Sequence, residues 1–220
     1  MLRLSQFVED TGFQGVPVLF TWASAAKGTR YVYDLNSALI ARPQVRTMAA
    51  TLNRTNAERV DVFAHSMGTF LTMEGLVSQQ VAGRLGTGIP IDHIVLAAPD
   101  IDIDLFRTQI TALHPSIKKR MFLLISKDDA ALRLSRRIAG GVPRVGASDA
   151  LLLEKLGVTA IDLSQIDDST SGSHSKFAGS PEVVQLIGAG LNSNRRFGKT
   201  GSSTTFQELL ANTPIMILGN

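Results

Sequence analysis

Apolar positions along the chain follow two alternating patterns. Short apolar runs rich in β-branched residues predict strands, and longer stretches with apolar residues three or four positions apart predict helices. The predicted strands are residues 16–22, 59–63, 91–97, 120–126 and 158–163. The predicted helices are residues 37–54, 67–81, 103–113 and 130–138, and one that starts near residues 180–182. This alternation predicts an α/β fold, with a mostly parallel sheet covered by helices on both faces.

Two prolines indicate where helices begin. Pro43 has no N–H and is tolerated in the first turns of a helix, so it places the start of helix 37–54 shortly before it. Ser180 is a suitable N-cap, and Pro181 then occupies the first helical position. Loops are predicted at residues 139–149, which contain Gly and Pro, and at the polar residues 167–175.

The composition changes after Leu191, where Asn, Ser, Arg, Gly, Lys and Thr dominate up to about residue 205. We therefore divide the chain into an α/β domain, residues 1–192, and a linker or flexible tail, residues 193–220. A length of 220 residues suits one domain with such a tail.

Composition restricts the classes of partner. The chain is 44% hydrophobic, with a mean hydropathy of +0.13, which is enough apolar material for a core. Its net charge is +3, and the basic residues are scattered, so we expect no nucleic-acid partner. No apolar run approaches the ~18 residues of a membrane-spanning helix. Residues 1–6 lack the pattern of a signal peptide, and the compartment and oligomeric state stay unassigned. The sequence has no cysteine, which excludes thiolate chemistry within it.

A serine between a predicted strand and a predicted helix gives the strongest chemical signal. Ser66 lies in Ala64-His65-Ser66-Met67-Gly68, after strand 59–63 and before helix 67–81. A nucleophile exposed on such a sharp turn needs small residues two positions before and after it, because bulky ones would clash. Ala replaces the first Gly of the usual G-x-S-x-G pattern and is still small. Ser66 is therefore the predicted nucleophile.

A serine hydroxyl needs a base to take its proton, and the base needs an acid to orient it. Four histidines compete for the base: His65, His93, His114 and His174. His174 lies in the loop after the last predicted strand, between small flexible neighbours. His65 directly precedes the serine, where its side chain points away from the proton to be removed. The other two lie at a strand start and at a helix end, so we predict His174 as the base.

Two aspartates compete for the acid. Asp128 and Asp129 follow strand 120–126, at the end of a strand where parallel-sheet sites collect. Adjacent side chains diverge, so one of them meets His174 and the other is expected to be a solvated cap on the helix that starts at Ala130. A third acidic group, Asp100, Asp102 and Asp104, lacks the Gly and distal Glu of a calcium loop. We expect these three to be solvated at the rim of the cleft, without a metal.

Over roughly residues 7–192 the chain resembles the esterase/lipase-like α/β-hydrolases, in particular an uncharacterised bacterial branch. The segments that carry the resemblance are residues 15–22, 31–34, 64–68, 95–102, 126–137 and 172–175. In such proteins the acid comes just before an Ala-Leu pair, which selects Asp129. The resemblance implies hydrolysis of a carboxylic ester or related acyl compound by Ser66, His174 and Asp129, with no cofactor.

The resemblance also assigns groups around this triad. One backbone N–H of the oxyanion hole comes from the residue after the nucleophile, here Met67. Apart from the resemblance, Trp22 and Tyr31 are candidates for the substrate pocket because they are aromatic residues near a strand end, with a place in the core as the alternative. The other oxyanion N–H of the family follows a strand that ends in His-Gly, and this chain contains no His-Gly dipeptide.

The missing strand would lie between residues 16–22 and the nucleophile strand, near the centre of the sheet, where unpaired backbone groups are costly. Three alternatives follow. The chain is shortened at its N-terminus, the two flanking strands pair directly, or the strand-like residues 214–220 fill the gap. A catalytically weak or inactive binding protein is therefore the rival to an active enzyme.

Overall fold

The computed structural model describes residues 2–25, 27–166, 174–192 and 216–218. Its helices are α1 (Leu2–Thr11), α2 (Tyr31–Leu52), α3 (Met67–Val81), α4 (Ile103–Ala112), α5 (Pro115–Lys118), α6 (Ala130–Ile138), α7 (Ala150–Glu154), α8 (Lys176–Gly179) and α9 (Pro181–Asn192), with 3₁₀ turns at Gly28–Arg30 and Val145–Ala147. Its strands are β1 (Val60–His65), β2 (Ile91–Ala97), β3 (Met121–Ile125), β4 (Thr159–Asp162) and β5 (Met216–Leu218). Within these ranges, none of the helices combines the length and the apolar character that crossing a bilayer requires.

The strands form one sheet in the order β1-β2-β3-β4-β5. The first four strands are parallel, and β5 runs antiparallel to β4. In this register Ala64 lies beside Leu96, and Leu96 lies beside Leu123. The predicted α/β fold with a mostly parallel sheet is confirmed.

Helices cover both faces of the sheet because alternate residues of its central strands point to opposite faces. On one face, Ile94 and Leu96 of β2 share a core with residues of α3 and α4, namely Phe70, Met73, Leu76, Phe106 and Ile110. On the other face, Val95 and Ala97 share a core with residues of α9, namely Val183, Leu186, Ile187 and Leu191. The predicted two-sided covering is confirmed.

Several predicted elements have the observed bounds. The helix at 67–81, the strand at 91–97 and the helix at 130–138 agree with α3, β2 and α6 at both ends. Helix α9 begins at Pro181, and the N–H of Val183 donates to the Ser180 hydroxyl at 3.5 Å, so Ser180 is the predicted N-cap.

The position of Pro43 was predicted wrongly. Helix α2 begins at Tyr31, and Pro43 lies in its middle. Proline removes the hydrogen bond that the carbonyl of Leu39 would accept. Both Leu39 and Pro43 are exposed, so water replaces the missing donor on the solvent side of the helix.

Residues 16–22 form no strand, contrary to the prediction. Phe20 and Trp22 pack against the core, but Val16 is 87% exposed and Val18 is also exposed. Strand β1 pairs with β2 and with no other described strand, so direct pairing of residues 16–22 with the nucleophile strand is wrong. Most residues of β1 are only half-buried.

Residues 216–218 lie at the opposite edge of the sheet. Strand β5 pairs with β4, where Ile217 lies beside Ile161. The alternative in which the C-terminal run fills the gap next to β1 is therefore wrong, and these three residues belong to the sheet rather than to a tail. Residues 193–215 lie outside the described residues, and a domain boundary near residue 192 stays a prediction.

Candidate active site

The turn at Ser66 has a backbone conformation that L-residues rarely adopt. Its φ is 53° and its ψ is −126°, between the last residue of β1 and the first residue of α3. The N–H of Ser66 donates to the carbonyl of Ala97 at 3.0 Å, and its carbonyl accepts from the N–H of Thr69 at 3.0 Å and from the Thr69 hydroxyl at 2.6 Å. These contacts hold a turn that costs about 1–3 kcal/mol in strain, as expected of a functional position.

Small residues flank the turn as the sequence predicts. Ala64 is buried in β1, and a Cβ atom at Gly68 would lie 3.6 Å from the ring of Trp22. Trp22 therefore packs over the first turn of α3, next to the serine. Met67 is the first residue of α3, where backbone N–H groups have no partner within the helix.

Asp129 and His174 are in direct contact. The Nδ1 atom of His174 lies 2.8 Å from Oδ2 of Asp129, whose side chain is fully buried. An ionised carboxylate only accepts, so Nδ1 carries the proton and Nε2 is the ring atom that can accept one. The other oxygen, Oδ1, accepts from the N–H of Leu132 at 3.0 Å. Asp129 is therefore also the N-cap of α6, and the expectation that Asp128 caps this helix is wrong.

Asp128 holds the same loop at a second point. Its carboxylate accepts from the hydroxyl of Ser126 and from Nζ of Lys176, the latter at 2.8 and 3.1 Å. Lys176 is 3% exposed and also donates to the carbonyls of Leu163 and Ser164 at 3.2 and 3.4 Å. Nothing in the sequence distinguishes this lysine, which lies two positions after His174, from a solvated one.

The other three histidines have different surroundings. The Nε2 atom of His65 donates to the carbonyl of His174 at 3.1 Å, and the two rings are 4.8 Å apart. His93 pairs with Asp61 at 2.7 Å, and His114 caps α5. His65 therefore supports the backbone that carries His174.

The structure brings two of the three predicted catalytic groups into contact. The hydroxyl of Ser66 makes no hydrogen bond with the imidazole of His174 in the described part of the chain. His65, the residue before Ser66, contacts His174, the residue that is predicted to take the proton from Ser66. Contacts between nucleophile and base are often long in the absence of substrate and shorten when it binds.

Asp100 does not behave as a solvated residue, which corrects the sequence-based expectation. It is buried, its Oδ1 accepts from the hydroxyl of Ser135 at 2.8 Å, and it lies 3.4 Å from Nε of Arg144. Burial raises the pKa of its carboxyl above the usual value. Its backbone N–H donates to the carbonyl of Ser66 at 3.4 Å, so this buried residue lies next to the turn at Ser66.

The neighbours of Asp100 in the acidic group have separate positions. Asp102 caps α4 by accepting from the N–H groups of Asp104 and Leu105 at 2.9 and 3.2 Å. The side chain of Asp104 is exposed and pairs with Arg107 at 2.8 Å. Of the three aspartates, Asp104 alone fits the description of a solvated residue.

One group of side chains has donor atoms close enough together for a cation. Asp61, Asp92 and His93 each offer an atom within 4.8 Å of the others. They lie near the starts of β1 and β2, whereas Ser66 follows the end of β1. Arg59 and Arg120 lie 3.9 and 3.5 Å from Asp92, so two arginines already supply positive charge there.

The fold and the turn at Ser66 are those of an α/β-hydrolase. Over residues 1–190 the chain matches the family described as "Alpha/beta hydrolase of unknown function (DUF900)", and it belongs to this family. The resemblance to the α/β-hydrolase superfamily is thereby confirmed, and hydrolase chemistry is the activity class that this membership supports. Searches of curated proteins and of solved structures found no match to the chain.

Proposed function

We propose that this protein is a serine hydrolase that cleaves carboxylic esters or related acyl compounds. The observation that carries the proposal is the 2.8 Å contact between His174 Nδ1 and the buried carboxylate of Asp129, on a loop that also contacts the residue before Ser66. A buried carboxylate on one ring nitrogen leaves the other nitrogen to act as a base.

The reaction proceeds in two halves. The Ser66 hydroxyl attacks the acyl carbon while Nε2 of His174 takes its proton, and the carboxylate of Asp129 stabilises the imidazolium that forms. His174 then returns the proton to the leaving alcohol, and an acyl-enzyme remains on Ser66. Water, deprotonated by His174, attacks this ester and releases the acid, and the proton on His174 restores the Ser66 hydroxyl.

Charge on the acyl oxygen is stabilised by the N–H of Met67 at the start of α3. The chain contains no His-Gly dipeptide to supply the second donor that related hydrolases use. Loss of one oxyanion donor lowers the rate by about 10²–10³-fold. We therefore expect turnover by these 220 residues alone to be slow compared with an enzyme that has both donors.

A protein that keeps the hydrolase fold but only binds ligands is the alternative. Two observations favour it: the missing His-Gly dipeptide, and the absence of a hydrogen bond between Ser66 and His174 among the described residues. Both readings place ligand at the same turn, so they differ only in whether Ser66 reacts.

Labelling with a fluorophosphonate probe tests the proposal, because the probe reacts only with an activated serine. We expect labelling of the wild-type protein, loss of labelling in Ser66→Ala and in His174→Ala, and no loss in Ser78→Ala. Ser78 is exposed on the same helix, α3, and serves as the matched control. A folded wild-type protein that is not labelled would support the binding protein instead.

A further inference from the structure

A pocket of about 210 Å³ lies beside the residues that follow β2. Its lining includes Tyr31, Leu35, Phe70, Asp100, Leu105 and Arg144. It is close to the nucleophile, because the N–H of Asp100 donates to the carbonyl of Ser66 at 3.4 Å. We call it the Arg144 pocket.

The guanidinium of Arg144 lacks hydrogen-bond acceptors. The residue is 5% exposed, and its Nε atom lies 3.4 Å from Asp100 Oδ1 without donating a hydrogen bond to it. Across the described residues no side-chain donor of Arg144 makes a hydrogen bond, and the group lies 5.8 Å from the centre of the Tyr31 ring. Of the guanidinium nitrogens, Nε is the one that is buried without an acceptor, and burying a charged donor in this way is costly. The guanidinium of Arg144 therefore has donors left for a ligand in the pocket.

Asp100 offsets this positive charge only in part. Its carboxylate already accepts from the hydroxyl of Ser135, and a side-chain hydrogen bond joins it to Tyr31. Burial raises the pKa of Asp100, which opposes the ionised form of its carboxyl. The second aspartate of the lining, Asp102, is engaged by the backbone at the start of α4.

We propose that the Arg144 pocket binds an ionised carboxylate on the acyl part of the substrate, so that the substrates are short acyl esters carrying a second carboxylate. A guanidinium matches a carboxylate with two parallel hydrogen bonds. The apolar walls formed by Leu35, Phe70 and Leu105 suit the methylene groups between the two functional groups. A volume of about 210 Å³ leaves room for a short acyl chain.

This inference rests on the proposed function, because it takes the bound molecule to be a substrate. We therefore test it by measuring binding in a variant that cannot turn the ester over. We would titrate Ser66→Ala protein with monomethyl succinate and with the neutral dimethyl succinate by calorimetry. We expect the monoester to bind about tenfold to a hundredfold more tightly, and Arg144→Gln in the same background to remove this difference. Equal binding of the two esters, or a difference that survives Arg144→Gln, would overturn the proposal.

A second variant keeps the test decisive if Arg144→Gln does not fold. Leu105 lines the pocket from α4 and is 37% exposed, so Leu105→Trp fills the pocket without disturbing its buried charges. We expect this variant to lose binding of the monoester. Leu134→Trp, at an exposed leucine on α6 outside the pocket lining, is the control and should bind it normally. Undiminished binding by Leu105→Trp would also overturn the proposal.

The two proposals fail in different ways. If the fluorophosphonate probe labels Ser66 but the monoester has no advantage, the enzyme proposal stands and the pocket proposal fails. If the monoester binds through Arg144 and Ser66 is never labelled, the pocket is a carboxylate-binding site in a protein that does not react.

Discussion

The ammonium of Lys176 lies 2.8 Å from the carboxylate of Asp128, and two residues earlier in the chain His174 makes a contact of the same length with Asp129. Two adjacent carboxylates at the end of β3 thus hold two residues of one loop. The first contact fixes the path of the backbone, and the second fixes the ring of His174. The orientation of the predicted base therefore depends on a residue that takes no part in the chemistry.

The two members of the Asp128–Lys176 pair differ in burial, so we expect their substitutions to lower the free energy of unfolding by different amounts. Asp128→Asn leaves a buried ammonium without its carboxylate, whereas Lys176→Met leaves a carboxylate whose side chain is 49% exposed to water. We expect Asp128→Asn to lower the free energy of unfolding by about 2–4 kcal/mol and Lys176→Met by about 1 kcal/mol or less, measured by urea denaturation.

The neighbouring exposed pair provides a control for this comparison. Lys127 lies 3.1 Å from Asp149, and both side chains are more than half exposed. Lys127→Met should change the free energy of unfolding by less than about 1 kcal/mol. If Lys176→Met lowers the free energy of unfolding more than Asp128→Asn does, the loss of stability does not come from an unpaired buried ammonium.

Asp129 has a structural and a proposed catalytic role, and two substitutions separate them. Asparagine is as good an N-cap as aspartate, so Asp129→Asn keeps the hydrogen bond to Leu132 and leaves stability nearly unchanged. It removes the acceptor that orients His174, so we expect kcat for a chromogenic ester to fall by about 10⁴-fold. Asp129→Ala should lose the same activity and, in addition, about 1 kcal/mol of stability. Unchanged hydrolysis by a stable Asp129→Asn protein would remove Asp129 from the mechanism.

The positive φ of Ser66 predicts that glycine stabilises the fold at this position. Glycine reaches a φ of 53° without a Cβ clash, so Ser66→Gly should be more stable than Ser66→Ala by about 1 kcal/mol. Ser78, exposed on the same helix with ordinary helical geometry, should show the opposite order, with glycine about 1 kcal/mol below alanine. Thermal denaturation of the four variants measures both differences. The same order at both positions would show that the turn at Ser66 is not strained.

Tyr31 predicts a loss of stability at alkaline pH. Burial, with Asp100 nearby, raises the pKa of its phenol from 10.0 to about 12. The folded protein therefore holds the phenolic proton more tightly than the unfolded chain does. This contribution is complete below pH 10 and is lost as the pH rises towards 12, at about 1.4 kcal/mol for each pH unit.

Urea denaturation at several alkaline pH values measures whether the free energy of unfolding falls in this way. Tyr31→Phe should flatten the decline of the unfolding free energy above pH 10, and Tyr33→Phe, at the exposed tyrosine of the same helix, should leave it unchanged. If the free energy of unfolding declines equally in the two variants, Tyr31 is not the group that titrates above pH 10.

Central strands could be predicted from the sequence, whereas a strand that depends on a neighbour could not. Strands β2 and β3 are buried on both faces, so they appear as nearly continuous apolar runs. Residues 16–22 carry equally β-prone side chains, but no described strand lies alongside to pair with them. Pairing is decided by the rest of the fold, and a local pattern does not contain that information.

The candidate site likewise has features that the sequence predicts and features that it does not. The turn at Ser66 has a local signature, small residues between a strand and a helix, and the structure shows the backbone that this signature predicts. The choice between Asp128 and Asp129 depends on which carboxylate contacts His174, and that contact joins residues 45 positions apart in the chain. Arg144 and Lys176 gave no signal at all, because burial of a single basic residue leaves no pattern in the neighbouring sequence.

Trp22 is the single tryptophan of the chain, and its ring lies against Gly68, two residues from the proposed nucleophile. Its indole N–H is buried without an acceptor among the described residues, so its emission depends on the apolar contacts of the first turn of α3. The protein thus carries an intrinsic fluorophore at its proposed reaction centre. Occupancy of the site can be followed in real time, in the native chain, without a chemical label.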